Sequence, residues 1–579
     1  AADVSGSTGP DEATTITTYD ALDRVTCVQD GWTTGACATA ASAGLSTITT
    51  YDLGGRVIAL DDEFTCTTTT YDYRDLTTQV IEGRSAGTCT GAGTRTITQT
   101  YDGLGRLTSR AVGIVVLEGN AYDSAGRLVK SWADEGDADR VTETWYTKLD
   151  QALETRRHLD TSGTLTERTW SRSTADAAGN ETDRCTWAAS PTEWCHKADD
   201  ATWASPVPIT RSSSIYDARN QRIGLFVPGE GETTYDPTAD YQVQGVFLPL
   251  GTGTRERQTI HGYDSRDRLV TITVYVCTAK ERPFCTGAEI ASSSVTDTYE
   301  YDDAGNRTKV VEDNGSGALT RYYCYDARNQ LTSVSTSSAT CASGVVETYA
   351  YDDAGNRTAA GSRTFTYTAA GQLGSCSSTA CGTPTFDADG RLTAITTASG
   401  AWTYQYDAEG RLTTACKASS CTGTPARLDM TYDAQGHRIR LVETPAAGAS
   451  PIITTDFSYE GERVVREVST SSAGPIVTRT FTTDEAGAIL KMTVVTTGGG
   501  STADDGTYLV TYNGHGDAIS LAEIETTFGT GVLTVANRVT YSTWGTPDVT
   551  TQNGYASLGF RYLYVGRFDV QWDDFASAG

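Results

Sequence analysis

Methionine and phenylalanine are scarce in this 579-residue chain, at 2 and 12, and apolar residues reach only 38%. An ordinary globular protein carries roughly 45–50%, so a large solid core is not expected to organise the fold. No stretch approaches the roughly 18 apolar residues of a membrane-crossing helix; the best short run, Ile114 to Leu117, is four long. Positive charge is in deficit as well. With 45 Lys and Arg against 73 Asp and Glu the net charge is −28, a field that repels phosphate backbones and anionic lipid. Nucleic acid binding and membrane insertion are both disfavoured. No Cys-x-x-Cys occurs and the histidines are few and scattered (His158, His196, His261, His437, His515), so neither a zinc site nor a nucleophile with its base is expected. The histidines read as surface or wall residues. The opening AADVSGSTGP lacks a basic segment followed by an apolar one, so any signal peptide is expected to have been removed or to belong to an upstream part of a longer protein.

What is present points to strands. Tyr, Thr and Val suit half-buried sheet faces, and 58 Gly supply turns between them. The 14 cysteines fall into seven successive pairs: Cys27/Cys37, Cys66/Cys89, Cys185/Cys195, Cys277/Cys285, Cys324/Cys341, Cys376/Cys381 and Cys416/Cys421. Each pair flanks a turn or connector. An even count at short separations is what local disulfides give, and these persist in oxidising compartments. The expected location is extracellular or on the cell surface.

One short pattern recurs through the chain. It appears as YDALDRVT (Tyr19), YDLGGRVI (Tyr51), YDYRDLTT (Tyr71), YDGLGRLT (Tyr101), YDSAGRLV (Tyr122), YDARNQRI (Tyr216), YDSRDRLV (Tyr263), YDDAGNRT (Tyr301 and Tyr351), YDARNQLT (Tyr325), FDADGRLT (Phe386), YDAEGRLT (Tyr406) and YDAQGHRI (Tyr432). Weaker forms stand near Asp176, Tyr367, Tyr459, Asp484 and Tyr512, for about nineteen repeats in all, most of them spaced by 16 to 47 residues. Three residues after each Asp the thirteen clear copies hold Gly eight times and Asp or Asn five times (Asp23, Asp75, Asn220, Asp267, Asn329). These types best tolerate positive φ. Asp favours the first place of a type I turn, and a left-handed residue then closes a hairpin through a bulge. Each repeat therefore reads as one β-hairpin, with Tyr101, Asp102 and Gly105, Tyr301, Asp302 and Gly305, or Tyr406, Asp407 and Gly410 as its structural corner.

An isolated hairpin is marginal in water, so neighbours must pair and share a face. Roughly forty strands cannot stay flat, because strand twist accumulates and open sheets seldom exceed about ten strands. The expected fold is all-β, a continuous spiralling sheet that encloses a hollow cocoon or barrel shell. A β-propeller would want blades of about 40–50 residues, which the intervals between Tyr351, Tyr367 and Phe386 do not allow.

The motif Y-D-x-x-G-R-L, running through the chain from Tyr19 onward, resembles the Rhs/YD-repeat family, which includes bacterial polymorphic toxins, the C components of Tc toxins and the teneurin shell. The resemblance implies a strip of sheet wound into a cocoon that, in the toxin branch, encloses a C-terminal effector. YSTWGTP at Tyr541, GFRYLYVGRFD from Gly559 to Asp569 and WDDFASAG to Gly579 are similar to the approach to that family's C-terminal core. The core block and its cleavage motif would follow Gly579, so the family's cleaving aspartates are carried over onto no residue here. Asp573 and Asp574 are adjacent, and neighbours on a strand point to opposite faces.

Several other features have turn or packing explanations. Asp387 and Asp389 in FDADG, and the doubled acids Asp302/Asp303 and Asp352/Asp353, resemble fragments of calcium loops, but calcium normally takes six to eight oxygens and no Glu completes the set. Asn180, Asn306 and Asn356 begin N-x-T sequons, yet each sits in a turn that wants Asn anyway. Trp170, Trp187, Trp194 and Trp203 crowd one stretch with Cys185/Cys195, for which aromatic packing over a long connector is expected ahead of a carbohydrate or partner surface.

The expected organisation is an irregular lead at 1–13, a repeat shell at 14–540 with irregular insertions at about 135–210 and 228–258, and an incomplete C-terminal segment at 541–579. The leading expectation is a non-enzymatic secreted shell, without cofactor or metal, that encloses or presents a C-terminal cargo. The alternative is an extracellular scaffold or adhesin, filament-forming through identical copies or touching cell envelope, matrix or glycan surfaces. A glycan-active enzyme is a distant third.

Overall fold

A computed structural model describes residues 15–30, 46–62, 65–83, 95–135, 138–148, 150–161, 164–187, 191, 208, 210–227, 231–237, 243–249, 256–277, 295–313, 318–368, 372–377, 382–387, 390–397, 400–407, 410–432, 436–447, 451–460, 463–483, 487–499, 501–524, 533–541, 547–551 and 558–563. Every helix or strand among them is a β-strand. Strand after strand pairs antiparallel with its neighbour in sequence, from Thr15–Tyr19 with Val25–Asp30 to Leu533–Tyr541 with Pro547–Thr551. These are open runs of sheet rather than a closed barrel.

The hairpin of Arg95–Tyr101 and Leu107–Val112 shows how the repeat makes its corner. The Gly105 N–H donates to the Asp102 carbonyl at 3.1 Å, and the Asp102 N–H to the Arg106 carbonyl at 3.0 Å. Asp102 Oδ1 accepts from the backbone N–H of Leu104 at 2.9 Å and of Arg106 at 3.0 Å. Gly105 lies at φ +80°. Tyr101 pairs with Leu107 but Thr100 with Ser109, so Thr108 is the extra residue of a bulge. The same register step occurs where Tyr301 faces Arg307 and where Tyr406 faces Leu412. In all thirteen clear copies the closing residue is left-handed, with Gly at φ between +73° and +92° and Asp or Asn between +59° and +65°.

The two stretches expected to be irregular hold paired strands among their described residues. Within 135–210 the strands Ala138–Tyr146, Ala152–Thr161, Thr164–Ala175 and Glu181–Trp187 pair in succession. Within 228–258 Gly231–Pro237 and Val243–Pro249 pair with each other, and Val243–Pro249 continues onto Glu256–Tyr263. The first stretch hides a further copy at Tyr146, where Thr147 replaces Asp: its Oγ1 accepts from the Gln151 N–H at 3.2 Å, and Asp150 closes the turn at φ +62°. Of the histidines read as surface or wall residues, His158 and His437 are buried, His437 stacking on Tyr459 at 4.8 Å.

The chain divides into two compact units, one of residues 1–120, 325–334 and 345–423, the other of residues 121–324, 335–344 and 424–579. In the first, strands such as Leu107–Val112 are half-buried along their whole length, as a thin wall requires. In the second, ribbon meets ribbon: Leu248 and Val276 pack with Leu509 and Ile524 in one buried cluster, although over two hundred residues separate the pairs. Trp170 and Trp187 form another cluster with Cys185, and the Arg156 guanidinium covers Trp170 at 3.9 Å. Trp194 and Trp203 lie outside the described residues.

The corner geometry gives a paired test. Gly105→Ala forces a Cβ into left-handed backbone and should cost about 1 kcal/mol or more, seen as faster amide exchange across Arg95–Val112. Gly103 has open space around it and a φ that is not positive, so Gly103→Ala should leave exchange unchanged, and Gly105→Asn should recover much of the loss.

Candidate functional site at the turn-to-turn clamp

The residue four places after each Asp is usually Arg, and it links consecutive hairpins. Arg268 shows the arrangement. Its Nε donates to Asp264 Oδ2 at 2.8 Å within its own turn, and its Nη1 donates to the Asp302 carbonyl of the next turn at 2.8 Å. Its guanidinium lies over the Tyr301 ring at 4.8 Å, while the Tyr301 hydroxyl donates back to the Leu269 carbonyl at 2.8 Å. One cation thus joins a carboxylate, a carbonyl and an aromatic face, contacts whose planar geometry suits Arg rather than Lys.

The clamp recurs. Arg24 reaches Asp20 at 2.7 Å and the Asp52 carbonyl at 3.3 Å, over Tyr51 at 4.6 Å. Arg391 binds Asp387 at 2.6 Å beneath Tyr406, whose hydroxyl reaches the Leu392 carbonyl at 2.7 Å. The Tyr101 hydroxyl donates to the Thr77 carbonyl at 2.8 Å. Further along, Tyr512 reaches Ile489 and Tyr541 reaches Ala518, at 3.1 and 2.6 Å.

Exceptions follow the same chemistry. In YDYRDL the Arg has moved two places toward the Asp, and Leu76 takes its usual position. Arg74 nevertheless binds Asp72 Oδ2 at 2.9 Å and the Asp102 carbonyl at 2.9 Å. Where Asn replaces Arg, its amide takes over the carboxylate: Asn180, Asn306 and Asn356 donate to Asp176, Asp302 and Asp352 at 2.9, 2.9 and 3.0 Å. All three sequon amides are therefore engaged inside their turns. The second acid of each doubled pair receives the preceding turn's Arg, Asp303 from Arg266 at 3.2 Å and Asp353 from Arg328 at 3.3 Å. Asp389 lies outside the described residues. Among the described residues no group of three or more His, Cys, Asp or Glu could hold a metal.

Hydrogen bonds set the charge state of the turns. Backbone and side-chain donors of Arg106 hold Asp102 below the ordinary carboxylate value of 3.8; the side chain of Asn306 does the same for Asp302, against the opposing effect of burial. Burial pushes the Tyr101 and Tyr406 phenols up.

Two of the cysteine pairs are bridged within the described residues, Cys324–Cys341 and Cys416–Cys421, with Cα atoms 6.3 and 5.5 Å apart. Cys27, Cys66, Cys185, Cys277 and Cys376 are also disulfide-bonded. Their expected partners, Cys37, Cys89, Cys195, Cys285 and Cys381, lie outside the described residues. The Tyr–Asp–Gly corner was legible beforehand, whereas the role of Arg was not; its recurrence beside Leu, Val or Ile was the available signal.

Two measurements follow. An Asp whose folded value is lowered stabilises fully above its ordinary value of 3.8 and loses that contribution as pH falls toward the lowered folded value. Strand content measured by circular dichroism should hold from neutrality to about pH 4 and decline below it. Separately, Tyr301→Phe should cost about 1 kcal/mol and speed exchange in Glu256–Cys277, whereas Tyr73→Phe, at a ring 92% exposed, should not.

Comparison with known proteins gives a family match over a short stretch with two of the corners: residues 386–415 match the RHS Repeat model. No curated protein matches. Among solved structures, the chain is similar to the TcdB2–TccC3 crystal structure at 15% identity and TM-score 0.43, covering 96% of this chain and 34% of that one. The same complex without its hypervariable C-terminal region gives 14%, 0.43, 93% and 32%. The Photorhabdus luminescens Tc holotoxin pore gives 15%, 0.41, 93% and 32%. The chain thus spans about a third of the length of the solved chains it matches. Residues 386–415 are thus an RHS repeat by their match to that model, and the same left-handed corner is built at turn after turn on either side of it.

Proposed function

We propose that this chain is wall material of a secreted shell that encloses or presents a cargo encoded beyond Gly579. The observation that carries the reading is the clamp: contacts between one turn and the next let hairpins add without limit while exposing little unpaired strand edge. Such a ribbon suits a partition better than a catalyst. Disulfides at nine described cysteines favour an oxidising compartment, since they would be reduced in a cytosol.

A second reading has its own support. The early turns each present one large apolar residue to solvent: Leu22 at 71% exposure, Leu53 at 108%, Tyr73 at 92% and Leu104 at 80%. The later clear copies carry Ala, Ser, Gln or charged residues in those places. A row of apolar tips favours contact with another surface, as a scaffold or adhesin would need.

Electron microscopy of the purified protein, together with whatever its gene encodes beyond Gly579, separates the two. Discrete hollow particles whose downstream segment resists protease are expected for the shell; filaments or sheets, with that segment cleaved freely, would favour the scaffold. Intact mass after alkylation without reductant should show no cysteine modified; broad alkylation would remove the secreted assignment.

A further inference from the structure

Arg257 is an unusual residue in so acidic a chain. It lies in the strand Glu256–Tyr263, only 5% exposed, and its Nη1 donates to the Val510 carbonyl at 3.0 Å. Its Nε is buried without a hydrogen-bond partner. No carboxylate pairs with it among the described residues, although the chain carries 73 acids and the turn arginines nearly all find one. Glu256, next along the strand, accepts from Gln258 at 2.6 Å, and residues adjacent on a strand face opposite sides. Burial pushes the guanidinium down to about 10, so at neutral pH it remains charged.

A buried charge with no counter-charge is costly, and the structure shows where one could sit. Arg257 lines a pocket of about 60 Å³ together with Thr259, His261, Tyr512 and Asn513, walled on its apolar side by residues such as Leu248. One water requires roughly 10–15 Å³ measured this way, so the space admits a group several times larger. All these residues belong to the same compact unit, and the pocket forms where the two ribbons of that unit meet. A planar guanidinium matches a two-oxygen acceptor, while the apolar wall suits a short carbon stem.

We propose that this pocket is a binding site for a single carboxylate, held by the Arg257 guanidinium. The group arrives either as a free small monocarboxylate or as the side chain of an acidic residue. The occupied site ties the strand Glu256–Tyr263 to the strand Gly506–Tyr512, so that ligand binding stiffens the contact between ribbons.

Thermal unfolding tests the site, with acetate as the free ligand and a blocked glutamate as the side-chain analogue, each titrated in place of chloride at constant ionic strength in a buffer that carries no carboxylate. Either should raise the melting temperature saturably, by about 2 °C for a modest site; a response to the blocked glutamate at lower concentration than to acetate would identify the side-chain source. Arg257→Met keeps the apolar stem and removes the charge, and should abolish the response. If that variant does not fold, the buried Arg257 Nε–H resonance of [15N]arginine-labelled wild-type protein should shift with acetate and saturate. A melting response unchanged in Arg257→Met, or neither a melting response nor a resonance shift with either ligand, would overturn the assignment.

Discussion

A guanidinium that leaves one turn and settles on the next is the interaction on which the rest depends. A lone hairpin is barely stable, and backbone ladders alone do not fix how successive hairpins meet. Arg268 supplies that instruction by binding Asp264 in its own corner and the Asp302 carbonyl in the following one. Tyr301 returns the contact to the Leu269 carbonyl. Hairpin, register and neighbour are therefore specified by six adjacent residues. A chain of net charge −28 also benefits, because many of its acids are neutralised where they stand.

The two units use this ribbon differently. In the first, half-buried strands rely on the clamp and on cross-strand pairs such as the hydroxyls of Thr100 and Thr108, 2.9 Å apart. In the second, faces are covered by other stretches of ribbon, and polar contacts span long sequence separations. Asn513 donates to Glu312 at 3.0 Å and the Gly514 N–H to the Tyr299 hydroxyl at 2.6 Å. Burial there is correspondingly complete, with Tyr508, Leu509 and Tyr562 fully enclosed.

Much of the fold was legible because a turn that needs positive φ leaves few residue types to choose from, and Gly105, Asp75 and Asn329 declare it openly. Less legible were places where another residue does the same work. Thr147 accepts the bond that Asp accepts elsewhere, so the corner at Tyr146 went unseen and its strands were taken as irregular. The reach of Arg was hidden for a different reason: its targets lie 28 and 34 residues away for Arg24 and Arg268, a distance that no local pattern encodes. Arg257 was invisible altogether, since nothing in ERQTIHG distinguishes a paired arginine from an orphaned one.

The bulge at each tyrosine has a consequence for how such a wall changes over time. Because Thr108 and its counterparts absorb the extra residue inside their own hairpin, every corner is completed locally, and what passes outward is only a grip on the adjoining one. Whole hairpins can therefore be gained or lost without redesigning a shared interior. Length becomes an adjustable property of the ribbon, and injury at one corner stays near that corner.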